Sequence, residues 1–248
     1  MKINNCFWET ALNSTTCEVQ IEETDLFDAN KFMQLEKDFQ YIVVKAPMNM
    51  IEFNYGLAKM GYITCEVQCR ISITYSDFDF YNPLVKRIYP YTEFKNITSA
   101  SDINLLLNNI TPNMFSTDRI TLDPYFGKET GCKRYKNWIT YAFENNQMNF
   151  LWFIYKGEKV GFSMYKENAE TTEGVLGGLF TQYQAKGLGI ITATRHLLHA
   201  KKNSMNMKKY ITCISSNNQA VLRIYNRLNF QIEKMQYVFI KHTNNTNL

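Results

Sequence analysis

The sequence predicts an α/β protein in two parts, and three local patterns carry that prediction. Tyr41-Ile42-Val43-Val44 reads as a buried strand. Met50, Phe53, Leu57 and Met60 then recur at helical spacing, between Asn49 as the expected N-cap and Gly61 as the expected stop. Next the chain alternates. Ile63, Cys65, Val67, Cys69, Ile71 and Ile73 face one way, while Thr64, Glu66, Gln68, Arg70 and Ser72 face the other, as in a half-solvated strand.

The stretch 75–83 loses this periodicity, and its Ser, Asp, Asn and Pro residues read as a connection. Residues 1–86 are therefore expected to form a small amino-terminal α/β domain and residues 87–248 a larger one. In the larger part the order is a strand over 88–95, helices over 101–109 and 134–145, and a hairpin from 150–155 through Lys156-Gly157-Glu158 into 159–165. A strand over 174–181, a helix opening at a glycine-rich turn, a strand over 210–215, a helix around Tyr225 and a closing strand over 235–240 follow. A polar tail, 244–247, ends the pattern.

Composition narrows the function classes. At 45% hydrophobic and 15% aromatic residues, a chain of 248 has ample material for packed cores. The start, Met1-Lys2-Ile3-Asn4-Asn5-Cys6, lacks the apolar run of a signal peptide, and no apolar segment approaches bilayer length. A cytoplasmic protein without a membrane partner is expected, so the sequons at Asn13, Asn96, Asn109 and Asn244 carry no weight. The six cysteines (Cys6, Cys17, Cys65, Cys69, Cys132, Cys213) contain no C-x-x-C pair and are expected to be buried free thiols. His196 and His199 are three apart but lack a third ligand, so they are expected on a helix surface and no metal is expected. A formal charge of +4 suits anionic small molecules and is too scattered for a nucleic-acid face.

The segment Gln184-Ala185-Lys186-Gly187-Leu188-Gly189 reads Q-x-x-G-x-G between a strand and a helix. Its backbone N–H groups at a helix N-terminus, with no Cβ at two positions, suit a pyrophosphate. Downstream, Asn218-Gln219-Ala220-Val221-Leu222-Arg223-Ile224-Tyr225-Asn226-Arg227-Leu228-Asn229-Phe230 approaches the pattern N-x-x-A-x-x-x-Y-x-x-x-G-F. Together, in this order, the two segments resemble the coenzyme A loop and the following signature of the GNAT superfamily of N-acetyltransferases, over residues 88–242. Val221 stands where a small residue is usual. Asn229 stands where glycine is usual, and asparagine also tolerates the left-handed conformation that ends a helix.

The resemblance implies the GNAT fold, a central mixed sheet splayed between the strand before the loop and the strand after its helix, with acetyl-CoA as cosubstrate. Leu179, Phe180 and Thr181 would then offer main-chain contacts to the pantetheine and thioester, and Gln184, Ala185, Lys186, Gly187, Leu188 and Gly189 would hold the pyrophosphate. Gly177-Gly178 suggests a bulge or a close approach by a ligand. Asn218 would contact the coenzyme arm as well as cap its helix. Tyr225, read at the edge of an apolar stripe of Ala220, Val221, Ile224 and Leu228, would protonate the departing thiolate. Glu173, eleven residues before Gln184, is the side chain placed as a base, with a water chain as the alternative.

The amino-terminal part narrows the resemblance. Phe7-Trp8-Glu9-Thr10, the strand–helix–strand unit, and Thr117-Asp118-Arg119-Ile120-Thr121-Leu122-Asp123-Pro124-Tyr125-Phe126 with Tyr135 and Trp138 are similar to the bacterial TDP-fucosamine acetyltransferases. That similarity implies acetylation of the 4-amino group of a nucleotide-linked deoxysugar, with Arg119 and Tyr125 toward the acceptor, and it is compatible with a homodimer. Another small amine, a protein amine, and a non-catalytic acyl-CoA-binding module remain alternatives. Tyr225 favours catalysis over mere binding, and the lack of an acidic groove disfavours a polycation.

Overall fold

The strand-like and helix-like runs become ten strands and eight α-helices among the described residues of a computed structural model. The structure describes residues 1–5 and 7–243; Cys6 and the tail 244–248, with its Asn244 sequon, lie outside the described residues, as do the side chains of Asn5, Phe7, Trp8 and Glu9. In chain order the elements begin β1 (Lys2–Asn5), a 3₁₀ turn (Phe7–Leu12), β2 (Thr16–Gln20), α1 (Ala29–Asp38), β3 (Tyr41–Pro47), α2 (Ile51–Lys59), β4 (Ile63–Thr74) and α3 (Pro83–Ile88). They continue with β5 (Thr92–Asn96), α4 (Ala100–Asn109), α5 (Arg119–Leu122), α6 (Gly127–Glu144), β6 (Asn149–Tyr155), β7 (Glu158–Glu167) and β8 (Thr171–Leu179). The last are α7 (Gly189–Asn203), β9 (Lys209–Ser215), α8 (Gln219–Arg227) and β10 (Gln231–His242).

All ten strands form one mixed sheet in the order β1-β2-β3-β10-β4-β9-β8-β7-β6-β5. The closing strand β10 runs antiparallel to both β3 and β4, and β9 runs antiparallel to β4. No break in the sheet therefore marks residue 86; strands from before and after it interleave. Cys69, Ile71 and Ile73 of β4 pack with α3, α7 and α8, and the neighbouring stretch of the same face packs β2 and β3 against α1 and α2. The opposite face carries α4 and α6 over β6 and β7, and Ile120 of α5 over Val43, Val238 and Ile240.

Short-range signals form as expected. Lys156 (φ 51°) and Gly157 (φ 84°) make the two-residue hairpin turn, and Gly61 (φ 83°) follows the C-cap of α2. Other expectations are corrected. Helix α3 starts at the end of the segment read as a connection and runs across the expected boundary at 86 into the expected strand; it is opened by the Asn82 side chain accepting from Leu84 N–H and by Pro83 at the first position, and the strand begins at Thr92 rather than 88. Helix α2 is capped at Met50 without a side-chain bond, not by Asn49. Helix α6 starts seven residues before the expected 134, its early glycine Gly131 allowing close passage: a Cβ there would lie 2.5 Å from Thr121 Oγ1. Strand β8 ends at Leu179, and Thr181 enters a 3₁₀ turn. Strand β4 is central rather than half-solvated, so Glu66 and Ser72 are buried, while Ile63 at its end is 68% exposed.

Candidate functional site

The site begins where two parallel strands part. β8 pairs with β9 from Thr171↔Lys209 to Gly174↔Thr212, and Thr212 Oγ1 donates to Gly174 O at 2.9 Å on the last rung. Beyond it β8 stays with β7 and β9 stays with β4. A carbonyl and an N–H left unpaired along such an opening are available to an extended ligand arm. The bulge on β8 falls at Val175, between the Leu176↔Met164 and Gly174↔Tyr165 pairs, not at Gly177-Gly178. Gly177 is needed for a different close approach: a Cβ there would lie 2.7 Å from Phe162 O of β7. Leu179 and Phe180 are buried, with Phe180 N–H donating to Val160 O at 2.9 Å, and Thr181 Oγ1 lies 2.6 Å from Thr111 Oγ1.

The glycine-rich turn sits at the start of α7. The Gln184 side chain turns inward, donating to Leu179 O (3.2 Å) and Met114 O (3.3 Å), which anchors the turn to the end of β8. Ala185 (φ 58°) and Gly187 (φ 72°) both take the left-handed conformation, on either side of Lys186, whose Nζ lies 5.5 Å from the Tyr183 ring centre. Leu188 precedes the helix and is buried; Gly189 opens it close to Ile224 of α8. The first N–H groups of α7 have no partner within the helix, so the turn presents donors and the positive end of the dipole together. Arg87 of α3 is not among the residues the sequence points to, since it falls at the expected domain boundary with no motif around it. Its Nη2 donates to Gly187 O at 3.0 Å and so adds a cation to the turn.

Helix α8 lies beside this turn. Asn218 caps it, accepting from Val221 N–H at 3.2 Å, and Asn229 (φ 59°) ends it in the left-handed conformation. Tyr225 is the buried residue of α8 rather than an edge residue, whereas Ala220 is exposed. Its ring packs edge-on against Phe230 at 4.7 Å between centres. Its hydroxyl receives Arg195 Nη1 at 3.5 Å. Arg195 is itself buried on α7; its Nε donates to Ser163 Oγ at 2.9 Å, Nη1 also donates to Thr192 O, and its guanidinium lies 5.7 Å from the Tyr210 ring centre. Burial pushes the Tyr210 phenol well above its usual range.

His196 is buried, not on a helix surface, because α7 buries nearly its whole circumference between the sheet and its neighbouring helices. Its Nε2 meets Ser163 Oγ at 3.0 Å, and burial, with Arg195 adding to it, holds the imidazole well below its usual pKa. His199 is half-buried, its ring 5.9 Å from Phe94. Among the described residues no three His, Cys, Asp or Glu side chains are grouped to hold a metal, and no helix is long and apolar enough to cross a membrane.

Glu173 lies on the other face of the sheet. It accepts from Arg70 Nη1 at 3.1 Å, and Arg70 Nε reaches Glu233 at 3.3 Å. Ser72 and Lys209 also hold Glu233. A carboxylate engaged by a guanidinium is not poised to accept a proton, so the arrangement tells against Glu173 as the base. Cys213, opposite Arg70 in the β4–β9 ladder, is exposed rather than buried, since the strands part beside it; Cys17, Cys69 and Cys132 are buried as expected. Arg119 points toward Glu18 (3.9 Å), which also binds Lys45 (2.9 Å). Burial would raise the Glu18 pKa, but Lys45, Arg119 and Arg134 together hold it below the usual range. Tyr125 is exposed and stacks on His242 (4.5 Å, 30°), which in turn pairs with Asp123 at 2.9 Å. The structure thus brings together the glycine-rich turn, Asn218 and Tyr225 on one face, and Glu173 and Arg119 on the other.

No family model matches the sequence, and no curated protein does. Solved structures do match. A GCN5-related N-acetyltransferase from Sphaerobacter thermophilus aligns with a TM-score of 0.63 at 9% identity, over 98% of this chain and 76% of that one. Another, from Kribbella flavida, aligns with a TM-score of 0.55 at 13% identity, over 92% and 81%. The fold is that of the GCN5-related N-acetyltransferases. A functionally unknown conserved protein from Staphylococcus epidermidis also aligns, with a TM-score of 0.62 at 14% identity over 96% of this chain and 89% of that one. At these identities the likeness to GNAT structures concerns the fold alone.

Proposed function

We propose that the protein is an N-acetyltransferase that moves the acetyl group of acetyl-CoA to the amine of a nucleotide-linked amino-deoxysugar. The observation that carries the first half is the glycine-rich turn. Two left-handed residues at the N-terminus of a long helix lie beside the opening between β8 and β9, with Tyr225 on the helix that lines the same face. The residues fit the coenzyme: α7 N–H groups, Lys186 and Arg87 for the pyrophosphate, the edges of the parted strands for the arm. The coenzyme supplies an activated thioester. The acceptor half rests on the similarity of the amino-terminal part and of the Arg119–Tyr125 segment to TDP-fucosamine acetyltransferases.

In this reading the neutral amine attacks the thioester carbonyl, the C–N bond forms, and the C–S electron pair leaves on sulfur. Tyr225 gives its hydroxyl proton to that sulfur, and the ammonium loses a proton to water, because Glu173 is held by Arg70. Calorimetry should detect coenzyme A binding to the folded protein at sub-millimolar concentration; no heat at near-millimolar ligand would refute the site. A thiol-release assay across nucleotide-linked 4-amino sugars, aminoglycosides, polyamines and peptide amines identifies the acceptor, and turnover only with the last three would refute the sugar. Tyr225→Phe keeps the ring against Phe230 and should lower the single-turnover rate by about a hundredfold or more while coenzyme affinity stays within a few-fold. A parental rate would make Tyr225 a packing residue.

A further inference from the structure

We infer that Arg195 is a positioning residue for Tyr225, holding its hydroxyl and balancing the negative charge that this phenol acquires when it protonates the departing sulfur. The inference rests on the acyl-transfer reading above. Its starting point is an electrostatic imbalance. Arg195 is 4% exposed, with Ile191 and Leu198 one turn before and after it on the same side of a helix that is buried almost all round. A charge enclosed in this way is destabilising unless a counter-charge meets it.

Among the described residues no carboxylate does. The partners of the guanidinium are a hydroxyl (Ser163), a carbonyl (Thr192), a phenol (Tyr225) and the face of an aromatic ring (Tyr210). They satisfy hydrogen bonds without neutralising charge. Tyr210 stays a phenol because burial pushes its pKa well up. His196 stays neutral because burial and Arg195 both push it down. A leucine or methionine at this position would fold at lower cost, so stability does not account for the residue.

Tyr225 is the one member of the cluster that turns negative in the reaction. Its proton goes to the sulfur, giving the free thiol, and the O–H electron pair stays on the phenol oxygen, 3.5 Å from Arg195 Nη1; water then returns the proton. The cation is fixed before this charge appears, by Ser163 at Nε and by Thr192 at Nη1, so its favourable interaction grows along the reaction coordinate with little reorganisation. An interaction stronger in the transition state than in the ground state raises kcat rather than affinity.

The test compares Arg195→Met, Arg195→Lys, Tyr225→Phe and the Tyr225→Phe/Arg195→Met double variant, by thermal unfolding, coenzyme A calorimetry and single-turnover acetyl transfer. Arg195→Met should melt at or above the parental temperature, since an unpaired buried charge is replaced by an apolar side chain of similar volume. Its coenzyme affinity should stay within a few-fold, and its chemical step should slow by about a hundredfold. Lysine should restore part of that rate. In the Tyr225→Phe background the same replacement should change the rate less than about threefold, because the charge it balances no longer forms. A parental rate in Arg195→Met overturns the inference, as does an equal loss with and without the Tyr225 hydroxyl. A loss matched by lower melting temperature and weaker coenzyme binding makes Arg195 structural and overturns it too. Absence of coenzyme binding and turnover in the parent overturns the acyl-transfer reading itself, a result distinct from an active parent with an equally active Arg195→Met.

Discussion

Gly174→Ala probes the buried cluster through its tightest point. Gly174 is the last residue of β8 paired with β9, and it has no left-handed φ, so alanine meets no backbone strain there. The added methyl, however, would lie 2.5 Å from Arg195 Nη2, 2.7 Å from Tyr210 Oη and 3.3 Å from Tyr210 Cε2. Comfortable separation is about 3.5 Å, so the guanidinium and the phenol must each yield by roughly 1 Å. An arginine head normally moves cheaply. Here Ser163 holds its Nε at 2.9 Å, and the contact to Tyr225 is already long at 3.5 Å, so a shift of that size removes one of the two.

Overpacking of this kind costs about 1–3 kcal/mol of stability, and misplacement of a catalytic group by about 1 Å costs on the order of a hundredfold in rate. The turn from Gln184 to Gly189 is not touched by the methyl. The expected outcome is therefore a single-turnover rate lower by about a hundredfold, a urea midpoint shifted by the stated cost, and coenzyme A affinity within a few-fold of the parent. A parental rate with reduced stability would show that the cluster relaxes without consequence for Tyr225. Coenzyme affinity falling as far as the rate would mean that Gly174 matters as part of the strand edge, and the steric argument would fail.

Gly177→Ala should destabilise by about 1–3 kcal/mol, because its methyl would lie 2.7 Å from a backbone oxygen, Phe162 O, and 3.1 Å from Ser163 Cα, neither of which can rotate away. Gly178→Ala is the control, its nearest neighbour being Met114 Cε at 3.5 Å; equal urea midpoints for the two variants would refute the packing argument. His196 gives a pH signature. Its folded-state pKa is depressed below 6.5, so below that pH the unfolded chain binds a proton that the folded chain does not, and stability present above pH 6.5 is lost as pH falls, at up to about 1.4 kcal/mol per pH unit. Denaturant titrations between pH 7.5 and 5 should show this slope in the parent and a shallower one in His196→Gln; equal slopes would mean that His196 titrates as freely in the folded state as in the unfolded.

The parts of this molecule legible from its sequence are those set by near neighbours along the chain. Lys156-Gly157, Gly61 and Asn229 mark their turns because a left-handed φ is a property of one or two residues, and the turn from Gln184 to Gly189 is legible for the same reason. Helix α3 is not legible although Asn82-Pro83 carries its start, since the surrounding Ser and Asp residues outweigh a signal only two residues long. The insertion of β10 between β3 and β4 was out of reach, because strand alternation gives the face of each residue but not the neighbour of each strand. Charges show the same limit most clearly. Glu173 looked like a base because its spacing from Gln184 is visible, whereas the arginine that occupies it lies 103 residues away. Arg195 belongs to none of the motifs the sequence shows, yet Ile191 and Leu198 on the same face put it inside the apolar stripe. The ionisable group that the sequence points to, Glu173, thus has a counter-charge, whereas Arg195 meets none among the described residues. An unpaired charge in the core must be explained by something other than folding, and that makes Arg195, rather than Glu173, the residue of this pair on which the chemistry should depend.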